Sequence, residues 1–135
     1  MIRAVICDDE LATQRIISYY IKAEGLPITI VGTASDGSGA ITLIQREKPD
    51  LVFLDIQMPG KNGFEVIGEL KNCPAKIIII TGYGTFSNAQ NALRLGASDI
   101  ISKPIDLDQL REAITRSMGW RFTSNDSLNR ALLYI

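Results

Sequence analysis

Five short apolar runs recur along the chain: Ile2–Cys7, Ile28–Ala34, Leu51–Leu54, Ile77–Ile80 and Ile100–Ile101. Each is rich in Ile or Val, and most barely alternate with polar residues. Near-continuous apolar runs suit strands buried on both faces, as in a parallel sheet. Between them the period changes. Ala12, Ile16, Tyr20 and Ala23 share a helical face, with Ile17 and Ile21 beside it. Ile41 and Ile44 begin a second helix, which ends near Lys48-Pro49. Gly63, Val66, Ile67 and Leu70 mark a third. Phe86, Ala89, Ala92 and Leu93 mark a fourth, and Gly96 is a good C-terminal stop. Leu107, Leu110, Ile114 and Met118 step at three and four residues and make a fifth. Strand and helix alternate five times, which predicts an α/β fold with right-handed crossovers and helices on both faces of the sheet.

The pattern breaks after Gly119. The stretch 120–127 is polar and turn-prone once past Trp120 and Phe122, and 128–135 reads as the start of another helix. The expectation is one domain over 1–119, with 120–135 a linker and the truncated start of a second.

Composition narrows the function classes. The 135 residues are 46% apolar and 21% charged, enough to bury a core and too apolar for disorder. Fourteen basic and fifteen acidic residues give a net charge of −1, so no cationic field holds nucleic acid by its phosphates alone. No apolar run approaches the roughly 18 residues of a membrane span. Met1-Ile2-Arg3 leads straight into the first strand with no signal-peptide cleavage site. Cys7 and Cys73 make no disulfide framework, and the expected location is the reducing cytoplasm. The chain has no histidine. Any histidine chemistry must therefore come from a partner.

Polar residues that end an apolar run abruptly carry the chemistry. Asp8-Asp9 follow the first run, Asp55 the third, Thr81 the fourth, and Lys103-Pro104 comes just after the fifth. In an open parallel sheet the carboxyl ends of the strands share one edge, where ligands bind. Three carboxylates there repel each other by about 4 kcal/mol per pair at about 4 Å and an effective dielectric of about 20. They must share protons or hold a cation. With only oxygen ligands, that cation is a hard one, and Mg²⁺ held by carboxylates plus a phosphate fits. A carboxylate can also act as nucleophile and form an aspartyl phosphate. Lys103 then supplies positive charge to phosphoryl oxygens, and Thr81 a hydrogen bond.

Taken singly, these residues have plainer readings. Asp8-Asp9 suits a turn and helix N-cap before Leu11. Lys103 suits a solvated surface and Thr81 a strand-end cap. Gly37-Ser38-Gly39 and Gly82-Tyr83-Gly84 read as turns rather than dinucleotide motifs. Cys7 reads as a small buried residue, Cys73 as a loop thiol, and Tyr19-Tyr20 as a core edge.

Together the residues resemble the receiver domain of bacterial two-component response regulators. The matching pieces are Asp8-Asp9-Glu10, Asp55-Ile56-Gln57-Met58-Pro59-Gly60 with Asn62-Gly63, Thr81-Gly82, and Gly96-Ala97-Ser98-Asp99 leading to Lys103-Pro104. The resemblance covers roughly residues 1–118. It implies a flavodoxin-like (βα)5 fold with sheet order 2-1-3-4-5, and Asp55 as phosphoacceptor. It implies Asp9 on Mg²⁺ directly, Asp8 mainly through water, and Gln57 through its backbone carbonyl. Thr81 becomes a switch hydroxyl that moves toward the phosphoryl group. Lys103 pairs with that group and precedes a cis peptide to Pro104. The implied donor is a sensor histidine kinase, and the state is read at the face of the fourth helix, fifth strand and fifth helix, with a homodimer on activation.

Two positions depart from the family pattern. Ile100 stands three residues before the lysine, where Tyr or Phe is common, and Tyr83 is large at a position that tunes access to the phosphoryl group. The segment 127–135 resembles the opening helix of an AraC-type DNA-binding domain, which implies transcription as the output. Two alternatives compete with a switch. One is a dehalogenase-type aspartyl-phosphate phosphatase, which needs an acid two residues after its nucleophile; here that residue is Gln57. The other is a degenerate receiver that binds partners without phosphorylation.

Overall fold

The structure, a computed structural model, describes residues 1–70, 72–82 and 86–120. Tyr83, Phe122 and the segment 127–135, singled out above, lie outside these residues. The elements run β1 (Ile2–Cys7), α1 (Leu11–Ala23), β2 (Ile28–Ala34), α2 (Gly37–Glu47), β3 (Leu51–Leu54), α3 (Gly63–Glu69), β4 (Lys76–Thr81), α4 (Phe86–Arg94), β5 (Asp99–Ser102) and α5 (Leu107–Met118). The strands form one parallel sheet in the order β2-β1-β3-β4-β5.

Successive side chains of a strand point to opposite faces, and this divides the core in two. Ala4, Ile6, Phe53, Ile78 and Ile80 lie on one face and are covered by α1 and α5 through Ile17, Ile21, Leu110 and Ile114. Val5, Cys7, Val52, Leu54, Ile77 and Ile79 lie on the other and are covered by α2, α3 and α4 through Leu43, Ile44, Val66, Ile67 and Ala92. Both faces are buried, which is why the strands read as continuous apolar runs.

β4 and β5 extend beyond their apolar runs because pairing sets strand length. Lys76 pairs with Leu51, and Thr81 with Ser102. Thr81 is thus the last residue of β4 rather than the first beyond it. α2 begins at Gly37, four residues before Ile41, because the Asp36 carboxylate accepts the Gly39 N–H at 2.7 Å and caps it. α3 opens with a capping box between Asn62 and Glu65.

Three apolar assignments need correction. The inward face of α1 is Thr13, Ile17, Tyr20 and Ile21, whereas Ala12, Ile16 and Ala23 are exposed. Tyr20 belongs to both sets, but around it the buried stripe moves by one residue, from Ala12 and Ile16 to Thr13 and Ile17, a rotation of about 100°. Tyr20 is core and Tyr19 is exposed. On α4, Ala92 is buried but Leu93 is 60% exposed. Trp120 packs against the α1–α5 side of the core, and its N–H donates to the Thr115 carbonyl at 2.9 Å. No helix among the described residues is long and apolar enough to cross a membrane.

Candidate functional site

The registers of the central strands bring the chemistry together. Cys7 of β1 pairs with Leu54 of β3, so Asp8 and Asp55 emerge side by side at the carboxyl edge. The Asp55 N–H donates to the Cys7 carbonyl at 2.9 Å and extends the ladder by one rung. Next to them, the Lys103 N–H donates to the Thr81 carbonyl at 2.7 Å, which ties the end of β5 to the end of β4. The Lys103-Pro104 peptide is cis, as the resemblance implied.

Two glycines let neighbouring backbone approach. A Cβ on Gly63 would meet the Asp55 carbonyl oxygen at 2.6 Å and the Ile56 Cα at 2.9 Å. A Cβ on Gly37 would meet the Lys61 carbonyl oxygen at 2.1 Å. The loop between β3 and α3 is therefore clamped by the first residues of two helices. That clamp fixes the backbone that carries Asp55.

Charge converges on Lys103, whose side chain is 15% exposed. Its Nζ lies 2.9 Å from Asp8 Oδ2 and 3.0 Å from Asp55 Oδ2, and it also pairs with Glu10. Asp8 and Asp55 are themselves buried. The Glu10 N–H donates to Asp8 Oδ1 at 2.8 Å, and the Gln57 N–H to Asp55 Oδ1 at 3.0 Å. Burial raises the Asp8 carboxyl above the usual range, the Asp55 charge adds to this, and the Glu10 N–H and Lys103 oppose it. Burial works against the Lys103 ammonium too, but the carboxylates of Glu10, Asp8 and Asp55 around it outweigh that and raise it above its ordinary value. Cys7 beneath the site is pushed up to about 12, first by burial and then by the Asp8 charge.

The acids also fit a cation. Oxygens of Asp8, Asp9 and Asp55 lie within 4.8 Å of one another. Asp8 Oδ2 is buried and makes its ion pair with Lys103 without hydrogen-bond geometry, which leaves a lone pair for a ligand. Three carboxylate oxygens with no nitrogen or sulfur donor suit a hard divalent ion such as Mg²⁺. When bound, such an ion neutralises the acids and draws phosphate oxygens to the same edge.

A cleft of about 290 Å³ opens here, lined by Asp9, Glu10, Asp55, Gln57, Gly82 and Lys103. Asp8 and Thr81 are buried beside it and do not line it. The simple helix-cap reading of Asp8-Asp9 fails: the N-cap of α1 is Glu10, whose side chain makes no cap hydrogen bond. Sequence reasoning gave Glu10 no role of its own. The signal was a third acid directly after the pair. Ile100 is half-buried against the α2–α4 side of the core.

The model of the response regulator receiver domain matches residues 4–115. The transcriptional regulatory protein HptR of Staphylococcus aureus is 32% identical over 116 residues, which are 86% of this chain and 46% of HptR. The chain thus spans about half the length of the curated relatives it matches. The receiver domain of AraT, a response regulator from Geobacillus stearothermophilus, is 32% identical with a TM-score of 0.77, covering 86% of this chain and 92% of that one. The structure of a CheX–CheY–BeF3–Mg²⁺ complex from Borrelia burgdorferi matches at 28% identity and a TM-score of 0.76, covering 84% of this chain and 87% of that one. Sheet order, an acidic pocket of the kind in which receiver domains bind Mg²⁺, and these likenesses agree: the chain belongs to the response regulator receiver domain family, whose members are regulatory phosphoacceptor domains rather than enzymes.

Proposed function

We propose that Asp55 is the phosphoacceptor of this receiver and that Asp8, Asp9, Asp55 and the Gln57 backbone carbonyl hold Mg²⁺ for the transfer. The donor is a sensor histidine kinase, which supplies the histidine this chain lacks. Lys103 neutralises the transferred group, and the Thr81 hydroxyl answers to it. The observation that carries this reading is the Lys103 ammonium held between Asp8 Oδ2 and Asp55 Oδ2 at the mouth of a cleft. The charge added at Asp55 biases a two-state surface.

The output is transcription, through a DNA-binding domain that follows the receiver after about residue 119, and activation brings two copies together. The transcriptional output rests on the likeness to a transcriptional regulatory protein about twice as long. The protein works in the cytoplasm, where the kinase domain presents its histidine.

The test is intact mass after incubation with acetyl phosphate and Mg²⁺, beside Asp55→Asn. One phosphoryl group on the wild type alone supports the reading. An adduct on both chains moves the chemistry to another residue. No adduct, even with a partner kinase, leaves a degenerate receiver.

A further inference from the structure

We propose that Glu10 is a positioning residue that holds Lys103 away from the incoming phosphoryl group and so sets the rate of phosphorylation. This rests on the phosphoacceptor reading of Asp55. The lysine ammonium has three N–H groups, and three carboxylates surround it: Asp8, Asp55 and Glu10. The first two are buried and fixed by backbone N–H groups from Glu10 and Gln57. Glu10 differs from both. Its side chain is 59% exposed, it lines the cleft, and its carboxylate reaches Lys103 from the solvent side.

In the transfer, an Asp55 carboxylate oxygen attacks the phosphorus of acetyl phosphate. The new P–O bond forms as the bond to the acetyl oxygen breaks, and acetate leaves with that electron pair. The group arrives as a dianion that needs the Lys103 ammonium. Glu10 accepts from that ammonium at the cleft, where the phosphoryl group arrives, and must let go for the group to take its place. Of the three partners it is the least costly to release, because water takes over its exposed carboxylate, whereas freeing either buried one strands a charge. Glu10 is thus the exchangeable partner. Removing it leaves one donor open before the phosphoryl group arrives.

The experiment follows the rate of acyl phosphate formation by intact mass, with acetyl phosphate varied at saturating Mg²⁺. Wild type, Glu10→Gln, Glu10→Asp and Asp55→Asn are compared. Glu10→Gln keeps the shape and removes the charge. The expected result is a rise of about two- to fivefold in the slope against acetyl phosphate, the size an exposed ion pair carries. Glu10→Asp keeps the charge but is too short to hold Lys103, and should match Glu10→Gln. Added salt should raise the wild-type rate toward the variant's and narrow the ratio. Equal rates for wild type and Glu10→Gln, with the adduct still dependent on Asp55, overturn the role of Glu10 and leave Asp55 in place. A Glu10→Asp rate equal to wild type shows bulk charge at work and overturns the pairing. Absence of any adduct on all four chains, even with a partner kinase, overturns the phosphoacceptor reading, and this inference with it.

Discussion

Lys103 reaches Asp55 across the end of β4: its Nζ lies 3.0 Å from Asp55 Oδ2, although the two residues follow strands that do not pair. One cation therefore links the two outer strands of a three-strand block. The same ammonium lies 2.9 Å from Asp8, which follows β1, so the ends of three strands, β1, β3 and β5, meet at one charge.

Lys103→Met should therefore destabilise the metal-free protein. It leaves two buried carboxylates without their cation, a loss of about 3 kcal/mol. Urea unfolding in EDTA measures it. Mg²⁺ should restore more stability to the variant than it adds to the wild type, since the ion replaces the missing charge. A loss below about 1 kcal/mol would place the contact among exposed ion pairs instead.

Asp8→Asn should act in the opposite direction without metal. The Asp8 carboxyl is raised by burial, so the folded chain keeps this proton at pH values where the unfolded chain has released it. Stability contributed by that proton is present below the ordinary value of 3.8 and is lost as pH rises from there through the raised value. The variant lacks this slope. Thermal unfolding from mildly acidic to neutral pH in EDTA should show Asp8→Asn gaining on wild type as pH rises, while losing its response to Mg²⁺.

How much of this was legible beforehand differs by feature. The sheet order followed from the family motifs, and the strands from runs of Ile and Val, because burial on both faces leaves an unmistakable pattern. The strand-end positions of Asp8, Asp55 and Lys103 were legible for the same reason: a charge next to a buried run stands out. The inward face of α1 was not, since Ile16 and Ile17 are equally apolar and only packing chooses between them. Nor was Glu10. Its pairing with Lys103 joins residues 93 positions apart and depends on α1 opening directly after it. A short-range pattern carries no trace of such a contact.

The cysteines offer a chemical check on burial. Cys7 is fully buried and its thiol is pushed up to about 12, whereas Cys73 is half-buried. Iodoacetamide at neutral pH should label Cys73 alone in the folded chain and both thiols in urea, as read by mass. Above pH 9 the unfolded chain releases the Cys7 proton while the folded chain retains it, so stability should fall between pH 9 and about 12. Cys7→Ala should lose that alkaline slope. Rapid labelling of Cys7 in the folded state would contradict its burial.

Two glycines of α3 should respond with opposite signs. Gly68 has open space where a Cβ would stand, so Gly68→Ala should stabilise the helix by about 0.5–1 kcal/mol. Gly63→Ala would drive a Cβ to 2.6 Å from the Asp55 carbonyl oxygen, a contact with backbone that cannot swing aside. It should cost about 1–3 kcal/mol, as overpacking does, and slow acyl phosphate formation by shifting Asp55. Denaturant midpoints and the acetyl phosphate assay check both. A Gly63→Ala chain as stable and as fast as wild type would remove the clamp from the account.

α5 begins three residues beyond Pro104 and leads away from the acidic edge for twelve residues, about 18 Å along its axis, before Trp120 turns back onto the core. Trp120 thus sits a helix length away from the edge that carries Asp55. α5 spans that distance and is gripped along its length by Leu110, Ala113 and Ile114, so a shift at the acidic edge reaches Trp120 as the displacement of a stiff rod.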